Sequence, residues 1–174
     1  MLQYSRDLSE EVLKDFKCGI PRMDAFIRDD LHSTLKEHPE FVLWIASDDV
    51  HGIVAMFVTS RGGFVDFNEE FLDLPSGKPW SYIDDNFEVN SASKYPTLEI
   101  DYLAVREDLR CKGFGREIIE KLTRQAREED SYFLTVDAYH DRDYSAIGFY
   151  EKQGFFALRE YSEAEETLRM AFRI

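Results

Sequence analysis

The pattern Arg110-x-x-Gly113-x-Gly115 constrains this chain most, because it stands between a strand-like run and a helix-like run. Residues 98–105 read as the strand, and Phe114, Ile118, Ile119, Leu122 and Ala126 then recur at helical spacing on one face. A turn that closes its backbone N–H groups on a phosphate cannot carry side chains at the points of closest approach. Gly113 and Gly115 remove them. The helix that follows aims its unpaired first-turn N–H groups and the positive end of its dipole at the same place. Arg106, Arg110, Lys112 and Arg116 surround the turn in a chain whose formal net charge is −14. Positive charge is concentrated where the rest of the protein repels anions, so the expected ligand is anionic.

A second motif follows at a compatible distance, Phe149-Tyr150-x-x-x-Gly154-Phe155. On composition alone it is expected in well under about one chain in a thousand, so its pairing with the first motif is not treated as coincidence. The remaining elements follow from periodicity and punctuation. A short strand is expected at 2–6, and a helix from about Ser9, whose hydroxyl can cap it, through Val12, Leu13 and Phe16 to Gly19. Pro21 suits the first turn of the next helix, with Met23, Phe26, Ile27, Leu31 and Leu35 as its apolar face. Strands at 41–46 and 53–59 flank a polar turn at Ser47, Asp48 and Asp49, and the alternation of Leu168, Met170, Phe172 and Ile174 predicts a last strand at 167–174.

A chain of 174 residues, 44% of them hydrophobic, is expected to form a single domain, 1–174. Its longest apolar run, 41–46, is far too short to span a bilayer, and its N-terminus lacks a basic-then-apolar signal pattern, so no membrane partner and a cytoplasmic location are expected. Cys18 and Cys111 match no metal or redox spacing and read as free thiols; no metal is expected. The stretch 61–96 is longer than an ordinary connection and interleaves acids with aromatic residues. It reads either as a lid that attracts and desolvates a cationic amine or as a solvated insertion with its own small core.

Through Leu103-Ala104-Val105, the turn from Arg110 to Gly115, and Ala146-Ile147-Gly148-Phe149-Tyr150-Glu151-Lys152-Gln153-Gly154-Phe155, the chain resembles the GNAT superfamily of acetyl-CoA-dependent N-acetyltransferases, most firmly over about 97–157. The resemblance implies an α/β (α+β) fold with a central mixed sheet of six to seven strands, splayed between two parallel strands and flanked by about four helices. Those two strands would be 98–105 and 132–138. It also implies acetyl-CoA as co-substrate, contacted by Leu103, Ala104, Val105, Arg110, Cys111, Lys112, Gly113, Phe114, Gly115, Arg116, Asp143 and Tyr150. Many members have an asparagine where this chain has Asp143, which is expected to serve mainly as a helix N-cap.

In the implied reaction an amine attacks the thioester carbonyl, an oxyanion forms and the CoA thiolate departs. A general base is needed, and Glu99 and Asp101 share one face of the strand. Glu99 stands where histone-modifying members place their catalytic glutamate and is the first choice, Asp101 the second; against both stands a plain polar role on a half-exposed strand. Tyr150 matches the family tyrosine, and a phenol with a reference pKa near 10 suits protonation of an alkyl thiolate. Phe149 is expected to take the core position beside it. The oxyanion is assigned to a backbone N–H of Leu103 or Val105.

The acidic balance points to a small cationic amine or a cationic peptide as acceptor. The segment Phe16-Lys17-Cys18-Gly19, then Met23-Asp24-x-Phe26-Ile27, is similar to the opening of GNAT-type toxins that acetylate aminoacyl-tRNA. Charged tRNA is therefore the alternative acceptor, although a pI near 4.7 leaves little basic surface for a nucleic acid. A non-catalytic acetyl-CoA-sensing module is the alternative outside enzymology. A monomer or a homodimer is expected.

Overall fold

The computed structural model describes residues 1–6, 12–66, 94–158, 162 and 164–174. Among them are seven strands and four α-helices: β1 (Gln3–Ser5), α1 (Pro21–Asp29), α2 (Leu31–Glu37), β2 (Val42–Asp48), β3 (Gly52–Asp66), β4 (Lys94–Val105), α3 (Phe114–Glu128), β5 (Phe133–Tyr139), α4 (Ile147–Lys152), β6 (Phe156–Ala157) and β7 (Thr167–Arg173). The strands form one sheet in the order β1-β2-β3-β4-β5-β7-β6. The expected mixed α/β (α+β) architecture is what the chain adopts. Two compact units divide it, 1–61 with 100–121 and 62–99 with 122–174.

In the first unit β1, β2 and β3 run antiparallel, pairing Tyr4 with Ala46 and Leu43 with Val58. The hairpin between β2 and β3 is closed by Asp48, whose carboxylate accepts the N–H of Val50 at 3.0 Å and of His51 at 2.6 Å. This is the local bond that favours aspartate in turns. Leu43 and Ile45 alternate onto the face that carries Met56, Val58 and Ala104, and Leu13, Phe16, Ile27 and Leu31 cover it. Pro21 opens α1 as expected. The single helix expected from the apolar face 23–35 is instead two, broken at Asp30. There the Asp30 carbonyl is shared between the Ser33 hydroxyl at 2.8 Å and the Thr34 N–H at 2.9 Å, a side-chain competition that bends helices. Ser9 lies outside the described residues, and residues 12–15, expected in that helix, form a turn closed by Phe16 N–H on Leu13 C=O at 3.0 Å.

In the second unit β5 and β7 pair antiparallel from Phe133 with Arg173 to Tyr139 with Thr167, and β6 adds Phe156 beside Ala171. Tyr132 N–H reaches Pro96 C=O at 2.9 Å, which puts the entrance of β5 beside the entrance of β4. Val65, Tyr95, Phe133, Leu158 and Ala171 make a core there. Gly154, at φ +90, ends α4, where Phe155 N–H turns back onto Tyr150 C=O at 3.1 Å. β3 and β4 extend further than expected, so the stretch 61–96 begins and ends in strand. Its residues 67–93, and with them the choice between lid and small core, lie outside the described residues.

Candidate active site

The first unit carries the turn. β4 ends at Val105, a single 3₁₀ turn follows at Glu107–Leu109 with Leu109 buried, and Arg110 leads into Cys111, which sits at φ +60. Gly113 is at φ +92, a conformation that a side chain strains, and its carbonyl accepts the first bond of α3, from Glu117 N–H at 3.1 Å. A Cβ at Gly113 would meet nothing within 4 Å. Backbone conformation demands this glycine, and the open space beside it is what an approaching ligand needs. Cys111, Lys112, Gly113 and Arg116 are exposed, while Arg110, Phe114 and Gly115 are half-buried. Ile118, Ile119, Leu122 and Ala126 are buried, the helix face expected from their spacing.

The expected ring of four cations is less simple. Arg106 pairs with Asp108 at 2.7 Å and also donates to the carbonyls of His51 at 2.7 Å and Ile53 at 2.9 Å, so it braces the start of β3. Arg116 pairs with Glu120 at 3.0 Å one turn along α3. The guanidinium of Arg110 lies beside Gly19. Of the residues on β4, Ala104 is buried, and Leu103 and Val105 are half-buried. Asp101 accepts the Ser60 hydroxyl at 3.0 Å through Oδ1.

The second unit carries Glu99, Asp143 and Tyr150. Both oxygens of Glu99 face donors: Arg169 bonds Oε1 through Nη1 and Oε2 through Nη2 at 3.0 Å, and the Thr135 hydroxyl reaches Oε2 at 3.0 Å. Arg169 also lies 3.5 Å from Asp137. The sequence points to neither Arg169 nor Thr135. In β7 Arg169 merely falls on the face opposite Leu168 and Met170, and no periodicity links it to a residue 70 positions away.

Tyr150 is 5% exposed, with ring centroids of Phe149 at 5.0 Å and Phe155 at 5.2 Å. Phe149 is half-buried, so the core position expected for it belongs to Tyr150. Burial, with the nearby Tyr144 adding to it, pushes the phenol of Tyr150 well above the usual tyrosine value. Asp143 is exposed and caps nothing: the N-cap of α4 is Ala146, which has no side-chain cap. The loop is organised by Asp141, whose carboxylate takes the N–H groups of Asp143 and Tyr144, both at 2.8 Å, and the Tyr139 hydroxyl at 2.6 Å. His140 is buried, with its N–H on Glu166 C=O at 2.9 Å. Among the described residues no cluster of His, Cys, Asp or Glu could hold a metal ion, and no helix is long and apolar enough to cross a membrane.

The sequence model of the acetyltransferase (GNAT) family matches residues 6–155. The chain belongs to that family. Membership bears out the N-acetyltransferase reading made from the two motifs. The fold of this GNAT acetyltransferase is similar to that of a bacterial toxin, with a TM-score of 0.67 at 16% identity over 99% of this chain and 90% of that one. It is similar as well to AtaTR bound with AcCoA, TM-score 0.64, 16% identity, 98% and 92% covered. A third is AtaT complexed with acetyl-methionyl-tRNAfMet, TM-score 0.66, 15% identity, 99% and 95% covered. At such identities these likenesses speak for the fold alone. No curated protein matches the chain.

Proposed function

We propose that this acetyltransferase passes the acetyl group of acetyl-CoA directly to a primary amine carried by a small cationic molecule or a cationic peptide. The observation that carries the donor half is the turn from Arg110 to Gly115, where Gly113 at φ +92 opens onto unfilled space at the N-terminus of α3. In this reading the pyrophosphate accepts the first-turn N–H groups of α3 and the charge of Arg110 and Lys112. The pantetheine arm runs along Leu103, Ala104 and Val105, and the N–H of Leu103 or Val105 receives the oxyanion. Tyr150 protonates the departing thiolate. Burial keeps the phenol neutral and able to donate, and the same desolvation raises the basicity of the thiolate that must accept.

For the general base the preference moves from Glu99 to Asp101. A proton taken by Glu99 would displace a donor, because Arg169 and Thr135 cover both of its oxygens. The Ser60 hydroxyl that Asp101 accepts at Oδ1 is a neutral donor, easier to displace than the guanidinium on Glu99. The cationic acceptor follows from the net charge of −14, which draws amines and repels polyanions. Aminoacyl-tRNA is the second reading, favoured by the likeness to AtaT complexed with acetyl-methionyl-tRNAfMet. Thiol release from acetyl-CoA across polyamines, amino acids, basic peptides and charged tRNA decides between them. Turnover confined to charged tRNA would remove the first reading, and turnover on polyamines or basic peptides would remove the second.

A further inference from the structure

Lys17, Cys18 and Gly19 are fastened to the cofactor turn, all within the first unit. The Asp24 carboxylate accepts the N–H of Cys18 at 2.7 Å and of Gly19 at 3.1 Å, and Glu107 N–H donates to Lys17 C=O at 2.9 Å. Gly19 sits at φ +76, and a Cβ there would lie 2.5 Å from Glu107 Cδ, 2.6 Å from its Oε1 and 2.7 Å from Arg110 Nη2. The backbone of residue 19 is thus the surface against which Arg110 and Glu107 rest. Cys18 is 1% exposed and its thiol is pushed up to about 12, first by burial, so it packs and does not react. Phe26 stacks on Tyr102 at 4.3 Å and fixes α1 against β4.

We propose that Gly19 and Asp24 are positioning residues for Arg110. A long guanidinium side chain loses rotamer freedom when it grips a phosphate, and a wall that limits that freedom beforehand strengthens binding without touching the ligand. Asp24 holds the loop, the loop presents Gly19, and Gly19 sets where Arg110 sits beside the turn. The inference rests on the assignment of that turn to the pyrophosphate. It gives residues far upstream of the turn a part in donor affinity and none in the chemical step.

Calorimetric titration of acetyl-CoA and steady-state kinetics test it in the full chain. Wild-type binding that Gly113→Val abolishes supports the assignment of the turn; Gly113→Val binding as tightly as wild type removes that assignment whatever Gly19 does. With the turn established, Gly19→Ala is expected to raise Kd and KM for acetyl-CoA by about tenfold, the scale of a sub-ångström misplacement of a binding group, with kcat at saturating donor unchanged. In an Arg110→Ala background the same change should cost nothing further, because the residue it acts through is gone. Unaltered affinity in folded Gly19→Ala, or an equal loss in the Arg110→Ala background, overturns the proposal. Should Gly19→Ala fail to fold, Asp24→Asn, which keeps the shape but has one acceptor oxygen for the two N–H groups and so loses one of the bonds, must show the same dependence on Arg110 with a smaller factor.

Discussion

Removing the guanidinium of Arg169 separates a structural role for Glu99 from a catalytic one. Arg169→Leu leaves the Glu99 carboxylate with the Thr135 hydroxyl as its remaining donor from this group, inside a site where the two charged side chains are only 19% and 16% exposed. Breaking a fully buried ion pair from one side costs about 3–5 kcal/mol, because a charge is left without compensation. Water still reaches this pair and Thr135 still donates, so about 2–3 kcal/mol is expected. For a domain of this size that lowers the melting temperature by about 4–12 °C. Replacing both partners with leucine removes the stranded charge and should recover most of the loss. Thermal melts followed by circular dichroism read all of this. An Arg169→Leu protein that melts with the wild type refutes the reasoning, as does a double variant no more stable than the single one.

The kinetic arm of that experiment addresses the base. Asp101→Asn should lower kcat by about a hundredfold or more, the range for losing a general base. Glu99→Gln should do the reverse, lowering the melting temperature with a modest change in kcat. A Glu99→Gln enzyme that melts normally and has lost a hundredfold in kcat would return the base to Glu99.

Tyr150→Phe should lower kcat by about 10²-fold or more while the Kd for acetyl-CoA stays within about twofold; a large loss of affinity instead would sink the general-acid role. The same tyrosine predicts a pH dependence. Its folded pKa is raised above the unfolded value near 10, so the folded state holds the proton more tightly and stability falls as pH rises past about 10. Between about pH 9.5 and 11 the wild type should therefore lose more stability than Tyr150→Phe, and parallel melting curves would count against the burial of the phenol. Iodoacetamide at about pH 8 should label exposed Cys111 and spare buried Cys18 until the chain is denatured, with mass spectrometry as the readout. Labelling of Cys18 in the native protein would contradict the packing of the 17–19 loop.

What could be read ahead of the structure was local. Ile118, Ile119, Leu122 and Ala126 announce the buried face of α3 through spacing alone, and the alternation at 168–174 announces β7. β6 has two residues, too few for any period to register. The break between α1 and α2 falls at a carbonyl that the Ser33 hydroxyl shares with the Thr34 N–H, and hydrophobic spacing cannot report that. The site divides in the same way. Gly113 and the helix behind it follow from a motif, whereas the Glu99 and Arg169 pair joins β4 to β7, and nothing short-range marks it. Phe149 and Tyr150 are adjacent, so motif position cannot say which ring is buried; α4 turns Tyr150 inward.

The segment shared in pattern with the toxins weighs less on the acceptor than its residues suggest at first. Phe16 and Cys18 are buried in the core of the first unit, and Phe26 stacks on Tyr102. Asp24 takes the N–H groups of Cys18 and Gly19, and Gly19 lies under Glu107 and Arg110. Each of these contacts lies inside the first unit and is made whatever amine is acetylated. Lys17 differs, with its carbonyl tied to Glu107 and its side chain exposed. If the acceptor were a tRNA, Lys17 would be a phosphate contact, and Lys17→Ala would weaken acceptor binding and reduce its salt dependence by about one counterion. For a small cationic amine no such contact exists. Lys17→Ala should leave kcat/KM for polyamines or basic peptides within about twofold, or raise it slightly by removing a like charge. A tenfold loss on a cationic acceptor would mean that Lys17 does more than hold the loop, and that the acceptor carries an anionic group this reading does not provide for.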